Sequence, residues 1–592
     1  MRRVWAVTGA GVVSAALVTG LACSPKSGGG PAPAVAEQPA PDLRGPDLFE
    51  DVTSATGITF TYRNGEDTSP HLSILESLGG GVAAIDYDRD GNIDLFFPGG
   101  GYFDGPEKKE IKGHPCKLFK NLGDFKFKDV TEEVGLHTLA DGQPWFYTHG
   151  AAVGDYDRDG WPDLLVTGWG RVALFHNVAG RRFEDVSTPA GLARGITWAT
   201  SAAFADLDND RYPDLYVCQY VDWSFANHPT DCNYDGKTPD VCPPKRFSGL
   251  RHKVYRNHGN GTFQEFTDEA GLRKGAPDAS KGLGVVVLDV NGDGKSDVYV
   301  ANDTVDNFLY LNESSPGRIR FREVGAIAGV ARDGGGGANG SMGLDTGDPE
   351  GTGKPYLWVT NYEKELHALY KNESDKDGAL FTFHSNAAGI GAIGQAFVGW
   401  GTGFIDLDNH GWEDIFVTNG HAIRYPTGTT RLQKPVLLRN KGEGQFQDIT
   451  PRGGPYFRKE HLGRGAVLTD LDNDGKVDIV VSHMNEPVAI LKNVSKEPNH
   501  WLGIELTGKD RGDVVGAKVV VEAGGRKQTR FAKGGGSYAS APDKRLVFGL
   551  GATDKIDKLT VTWPGGAEQT WTELKPDQYH RLGEGEKEAK GK

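Results

Sequence analysis

Asp86-Tyr-Asp88-Arg-Asp90-Gly91-Asn-Ile-Asp94, running on into Leu-Phe-Phe, decides how this 592-residue chain is read. The pattern is D-x-D-x-D-G-x-x-D followed by an apolar run, and it recurs. The second copy is Asp155, Asp157, Asp159, Gly160, Asp163. The third is Asp206, Asp208, Asp210, Asp214, with Arg211 where the glycine belongs. The fourth is Asp289, Asn291, Asp293, Gly294, Asp297. A fifth, Asp348, Glu350, Thr352, Gly353, Tyr356, is degenerate. The sixth is Asp406, Asp408, His410, Gly411, Asp414 and the seventh Asp470, Asp472, Asp474, Gly475, Asp478. Start-to-start spacings run from 51 to 83 residues.

A hard cation such as Ca2+ takes six or more oxygens in a flexible cage. Positions 1, 3, 5 and 9 offer carboxylates here, and a backbone carbonyl near position 7 adds another. Glycine at position 6 allows the sharp turn with positive φ, so Arg211 implies left-handed strain there of roughly 1 kcal/mol. An EF-hand would need a bidentate Glu at position 12 between two helices. Position 12 is instead Phe97, Val166, Val217, Val300, Val417 or Val481, each inside a strand-like apolar run. The expectation is Ca2+ at β-hairpin turns, about six structural ions. The fifth loop lacks its closing carboxylate at Tyr356, and His410 weakens or alters the sixth.

The chain has 84 Gly and only 3 Met, with short apolar runs between turn residues, which favours an all-β fold. Its net charge of −15 excludes a generic nucleic-acid binder. Six divalent ions would offset most of that charge, so the acidity belongs to the loops.

Two more elements share the repeat. One is Phe-x-Asp-Val-Thr with Gly eight residues after the Phe, as in Phe49/Gly57 and Phe127/Gly135. The other is an aliphatic–aromatic pair ending in Asn: Asn121, Asn177, Asn257, Asn312, Asn372, Asn440 and Asn493 close it. Each element occurs seven times, and one unit supplies four strands. The reading is a seven-bladed β-propeller over 48–495. The repeat begins out of phase, on a Phe-x-Asp-Val strand at 49–53, so that strand should complete the seventh blade and remove the open edge.

Strand direction puts the metal hairpins on one face and the long connections, 99–115, 136–149, 219–252, 420–434 and 455–461, on the other. Long loops on a rigid scaffold usually carry binding residues. Gln219, Asn302, Asn361, Asn419 and His483 should ring the channel there, with Trp145, His149 and His421 nearby. Aromatics beside amides suit a glycan or a protein ligand; the same residues could equally cap turns and pack between blades. A polysaccharide-acting enzyme, lyase or hydrolase, is the alternative. Asp303, Glu363, His149 and His421 are its candidates, although no spacing ties them together.

Residues 1–22 read as an export signal: Arg2 and Arg3, an apolar stretch, then Gly20 and Ala22 before Cys23. Lipidation of Cys23, anchoring the protein to a membrane, fits a lipoprotein signal. Gly20 departs from the aliphatic residue usual there, which leaves ordinary cleavage and secretion open. Residues 23–47, rich in Gly, Pro and Ala, form a flexible tether. Cys232 and Cys242 lie in the longest insertion and suit a disulfide after export; Cys116 and Cys218 could pair or stay free.

From 498 to 585 short alternating strands with glycine turns suggest a small β-sandwich. The seven units resemble FG-GAP/VCBS-type repeats. Asn499-His-Trp-Leu, Arg511-Gly-Asp-Val-Val-Gly-Ala-Lys-Val, Gly534-Gly-Gly-Ser-Tyr, Phe548-Gly-Leu-Gly and Val561-Thr-Trp-Pro-Gly-Gly resemble an ASPIC/UnbV domain. Together they look like a bacterial member of the cartilage acidic protein family. The resemblance implies calcium binding and an extracellular interaction role, and supplies no substrate.

Overall fold

The computed structural model describes residues 45–272, 280–391 and 393–591. The signal, Cys23 and nearly all of the tether lie outside the described residues. Each repeat folds as a four-stranded antiparallel sheet, and seven such sheets arise from it among the described residues. The innermost strands are Ala83–Ile85, Thr148–Gly154, Ala199–Ala205, Gly282–Leu288, Leu344–Gly347, Gly399–Ile405 and Gly463–Thr469. They are rich in Gly and Ala and buried nearly throughout, because strands converging on an axis have little room for side chains. The next strand out carries the apolar run after each metal loop, such as Asp163–Gly168 with all six residues buried.

The ring closes as the phase of the repeat requires. Phe49–Asp51 pairs with the strand Ala489–Asn493, Phe49 opposite Asn493. A second closure runs through the asparagines. Each Nδ2 donates to the second residue of the metal loop in the preceding blade: Asn177 to the Tyr87 carbonyl, Asn257 to Tyr156, Asn312 to Leu207, Asn372 to Val290, Asn440 to Pro349 and Asn493 to Leu407. Asn121 completes the circle on Leu471. These donors are buried, so a missing partner would cost about 1–3 kcal/mol at each.

The C-terminal stretch forms two four-stranded sheets. One contains His500–Thr507, Leu546–Gly551, Tyr579–Gly583 and Lys590–Gly591; the other Lys518–Ala523, Arg526–Phe531, Lys558–Thr562 and Glu568–Trp571. Leu502, Ile504, Val519, Val521, Phe548, Leu559, Val561 and Trp563 pack between them. This domain does not stand apart from the propeller. Its Gly-Gly-Gly-Ser-Tyr-Ala-Ser-Ala segment, 534–541, runs into the axis as a plug and, with Asp543, touches every innermost strand. The Ala84 amide donates to the Ala541 carbonyl and the Ala151 amide to Ala539. The Ala539 amide donates to Ser201 Oγ, the Gly536 amide to the Val285 carbonyl and the Ser537 amide to Leu344. Thr402 donates its amide to Ser537 Oγ, and Thr469 its hydroxyl to Asp543. The glycines of the wall and plug permit this approach: a Cβ on Gly81 would lie 1.7 Å from the Ala539 carbonyl oxygen.

Candidate metal centres and the opposite face

The seven loops share one internal scaffold. In each, Oδ2 of the first Asp accepts the amide of position 6, namely Gly91, Gly160, Arg211, Gly294, Gly353, Gly411 and Gly475. Position 6 has positive φ throughout, including Arg211 at 76°. Position 4 does too, at Arg89, Arg158, Asn209, Asn409 and Asn473 among others. The position-9 carboxylates Asp94, Asp163, Asp214, Asp297, Asp414 and Asp478 are buried. Each accepts the position-2 amide on one oxygen and the amide of its unit's Asn on the other, as Asp214 does from Leu207 (2.9 Å) and Asn257 (2.8 Å).

These hydrogen bonds hold the acids together and leave oxygens over. Asp88 Oδ1 and Asp155 Oδ1 are buried with no hydrogen-bond partner. Oxygens of Asp155, Asp157 and Asp163 lie within 4.8 Å of one another, as do those of Asp86, Asp88 and Asp90. Burial pushes Asp163 and Asp414 up to about 7 and Asp155 and Asp470 up to about 6, and it raises Asp94, Asp214, Asp297 and Asp478 well above the carboxylate range. Gathered, buried carboxylate oxygens of this kind fit a hard divalent cation.

The cations that reach the loop acids went unread in the sequence. The residue just before each Asn reaches back to the position-3 acid. Lys120 pairs with Asp88, Arg256 with Asp208 (2.7 Å), Lys371 with Glu350, Arg439 with Asp408 (2.8 Å) and Lys492 with Asp472 (2.7 Å). His176 Nδ1 lies 3.3 Å from both Asp157 and Asp163. In the fourth unit position 3 is Asn291, and the residue before Asn312 is Leu311. Acid and cation are present or absent together. That signal lies in the sequence, one residue upstream of a motif already noticed.

Two loops differ. In the fifth, Tyr356 is buried in place of the closing Asp, and Glu350 is held by Lys371 and by His384 at 3.0 Å. In the sixth, His410 Nδ1 sits 2.9 Å from Asp406 and 3.1 Å from Asp408, among the acids themselves.

The metal face is covered by the C-terminal domain. Tyr579 donates its hydroxyl to Asp470 Oδ2 (2.8 Å), and Arg545 donates to the Asp470 carbonyl and to Asn473. Arg526 donates to the His410 and Gly411 carbonyls with its guanidinium 4.6 Å from the Trp412 ring centre. Lys518 donates to the Gly353 carbonyl. Arg511-Gly512-Asp513, which spells the integrin-binding tripeptide, is engaged here: Arg511 donates to the Asp159 carbonyl and Asp513 accepts the Asp206 amide.

On the opposite face, all eight residues expected to meet a ligand are buried. Gln219 accepts the Thr197 amide and donates to the Arg251 carbonyl. Asn302, Asn361 and Asn419 donate to the carbonyls of Asp306, Leu366 and Lys434. Trp145 donates to Leu136, and Trp198 donates to His149 Nε2. His483 is bonded to Tyr456 and Pro487. His421 Nδ1 accepts the Ile423 amide. The amides therefore cap turns and the aromatics pack, the alternative the sequence left open. Trp198, Tyr220, Trp223, Trp400 and the plug's Tyr538 form one buried cluster over the end of the axis. Arg464, fully buried, lies 4.1 Å from the Trp400 ring centre and donates to the carbonyls of Ser77, Gly420, Gly463 and His421.

Of the catalytic candidates, the structure brings His421 Nε2 to 3.6 Å from Glu363, and leaves His149 in the core. Asp303 accepts the Tyr220 hydroxyl at 2.5 Å. Glu365, unnoticed in the sequence, joins it: a Cβ on Gly340 would meet Asp303 Oδ1 at 3.2 Å and Glu365 Oε2 at 3.7 Å. Burial pushes Asp303 up to about 6 and Glu365 up to about 7. Cys232 and Cys242 are bonded to each other, whereas Cys116 and Cys218 are free and buried. Tyr234, Tyr425 and Leu432, on the same connections, are exposed large hydrophobic side chains.

A family model described as "ASPIC and UnbV" matches residues 507–589, and one described as "FG-GAP-like repeat" matches 155–217, 250–300 and 406–481. The chain is 23% identical over 548 residues to mouse cartilage acidic protein 1, covering 88% of this chain and 67% of that one. Against the human protein of the same name it is 23% identical over 522 residues, covering 74% and 72%. Among solved structures it is similar to an Agrocybe aegerita lectin that recognises non-reducing terminal N-acetylglucosamine (15% identity, 64% of this chain and 83% of that one, TM-score 0.37). It is also similar to a Bacillus licheniformis rhamnogalacturonan lyase (14% identity, 80% and 83%, TM-score 0.32).

Proposed function

We propose that this chain, which belongs with the FG-GAP-repeat, ASPIC/UnbV-bearing homologues of cartilage acidic protein 1, is an exported, calcium-stabilised binding protein. Its ligand, a glycan or a protein, sits on the face of the long connections. One observation carries this reading. The C-terminal domain docks on the metal-loop side and its plug fills the axis, which favours the long connections on the other side for a partner. Those connections are built to hold a shape: the Cys232–Cys242 bridge pins the longest, and Asp240 accepts the Arg424 and Tyr425 amides across two of them. In this reading Cys23 carries the lipid that tethers the protein to a membrane. Ca2+ in the loops neutralises buried carboxylates and takes no part in ligand capture.

Blocking one face tests it. A single thiol at Tyr425→Cys, coupled to a polyethylene glycol maleimide, should abolish capture from a panel of glycans and extracellular proteins. The same label at Leu122→Cys, exposed on the metal-loop side, should not. Equal effects at both positions would refute the assignment of the face.

The catalytic alternative keeps one supporting observation, the convergence of Asp303 and Glu365 on Gly340. Glycoside cleavage needs two carboxyl groups flanking the bond, one of them protonated. Polysaccharides incubated with the calcium-loaded protein should remain full length on size exclusion. Shortened chains that disappear in Asp303→Asn would establish an enzyme.

A further inference from the structure

A cleft of about 790 Å3 lies at the seam where the first strand closes the seventh blade. A hollow of about 430 Å3 adjoins it and shares Asp51, Tyr456 and His461, so the two make one groove bending past His461. Volumes of this order suit a ligand of several rings.

The lining is amphipathic. Ile58, Val488 and Ala489 form a buried apolar floor. Thr53, Ser54, Thr59 and Thr61 bring hydroxyls to the rim. Phe60 is half-buried, its ring stacked 5.0 Å from Phe97. The lining is net acidic, with Asp51 and Glu486 beside Arg63 in the cleft and Asp47 and Glu50 beside Lys459 in the hollow, which disfavours an anionic chain. The walls are already bonded to each other, the Val488 amide to the Phe60 carbonyl and the Ile490 amide to Thr53 Oγ1. The strand edge at the groove is the short outer strand Phe49–Asp51, only three residues long. Side-chain hydroxyls, an aromatic ring and an apolar floor match the alternating C–H faces and hydroxyl edges of a sugar chain.

One polar group is held in place for it. His461 is stacked on Tyr456 at 4.2 Å, its Nε2 3.3 Å from the Tyr456 carbonyl and its Nδ1 3.3 Å from Glu486, which it holds at the groove. Tyr456 and His483, 4% and 2% exposed, brace it from behind. The His483 Nδ1–H donates to the Pro487 carbonyl at 2.6 Å, which leaves Nε2 to accept the Tyr456 hydroxyl at 2.7 Å. A side chain fixed before binding loses less entropy when a ligand arrives.

We infer that this groove is the ligand seat of the protein and that it takes an uncharged oligosaccharide, with Glu486, held by His461, on its hydroxyls and Phe60 against a ring. The inference rests on the reading of the long-connection face as the binding face. It is tested by calorimetry on the full-length calcium-loaded protein. The probes are hexasaccharides of cellulose, mannan, xylan and chitin, with oligogalacturonate and casein peptides as comparisons. Ser54→Trp and Thr59→Trp, both at exposed positions, fill the groove and should leave the melting temperature unchanged. The expected result is binding of at least one neutral hexasaccharide, weakened at least tenfold in both Trp variants and severalfold in His461→Gln. Neutral-sugar binding that survives both Trp variants would overturn the groove and leave the broader face assignment standing if the label at Tyr425→Cys still blocks it. Binding of oligogalacturonate or peptide alone, lost in the Trp variants, would overturn the ligand class. No binding by any probe would overturn the inference altogether.

Discussion

Tyr538→Ala tests whether the plug is part of the propeller's core. Tyr538 is fully buried, its ring 4.8 Å from Trp400 at 74°, its hydroxyl donating to the Leu78 carbonyl at 3.0 Å. Removing a buried aromatic side chain costs about 3–5 kcal/mol, and the hydrogen bond is worth about 1 kcal/mol of that. The edge-to-face pair with Trp400 adds about 1 kcal/mol beyond burial, which puts the loss at the upper end of the range. Tyr538→Phe keeps the ring and should cost only about 1 kcal/mol. Urea unfolding of the calcium-loaded protein, followed by tryptophan fluorescence and by circular dichroism, reads both. The wild type should unfold in one transition with coincident probes, because the plug ties the two domains together. The Ala variant should lose about 4–5 kcal/mol. A loss below about 1 kcal/mol for Tyr538→Ala, with the domains unfolding separately, would refute a seated plug.

Other outcomes follow from the same packing. Gly81→Ala should prevent native folding, because its Cβ meets the Ala539 backbone at 1.7 Å; Gly123→Ala, with φ +86° and open space around it, should cost only about 1 kcal/mol in a melt. Asn291→Asp adds a buried acid with no cation and should lower stability, and adding Leu311→Lys should restore it; a double-mutant cycle with no coupling would discount the acid–cation pairing. The chelated protein should respond to pH with an unusual sign. Its buried loop carboxyls, such as Asp163 and Asp414, have folded values raised to about 7, so the folded state holds more protons than the unfolded one. Their contribution is fully present below the unfolded value and is lost as pH rises towards 7. The melting temperature without metal should therefore rise from pH 8 to pH 5.5, whereas the calcium-loaded protein should fall over that window as protons displace ions.

The repeat was legible because it is written three times per unit. Asp at position 1, the Phe that opens the outer strand and the terminal Asn each have a local job, and each keeps its identity in all seven units. Closure by Phe49–Asp51 followed from counting phase. The cations paired with the loop acids were missed because Lys, Arg and His look like ordinary exposed charge on a strand until the hairpin brings them to Asp88 or Asp208. The amides at Gln219, Asn302, Asn361 and Asn419 look like a ligand ring in one dimension. In three they satisfy backbone groups where strands turn, the commoner use of such residues. The plug was least legible. Gly534-Gly-Gly-Ser-Tyr reads as a loop of the C-terminal domain, and nothing local says that its neighbours are inner strands hundreds of residues earlier. His461 and Glu486 carry no motif, and only the fold sets them beside Tyr456 and His483.

Docking of the C-terminal domain on the metal face has a thermodynamic consequence. The groups it grips belong to the loops themselves: Asp470 Oδ2 takes both the Gly475 amide and the Tyr579 hydroxyl, and the His410 and Gly411 carbonyls take Arg526. A bound cation would favour the loop shape that the domain also favours, and two ligands of one conformation strengthen each other's binding. Removing calcium should therefore loosen the plug as well as the loops, although no metal-loop residue lies within 534–541. Hydrogen exchange reads this directly. The Ser537 and Ala541 amides, bonded to Leu344 and Val82, should exchange faster after chelation, along with the loop amides of Gly475 and Gly411. The plug should respond to Tyr579→Phe in the same direction without chelation. Exchange that rises in the loops while 534–541 stays protected would show that the plug is held by packing alone, and the linkage between metal face and axis would fall.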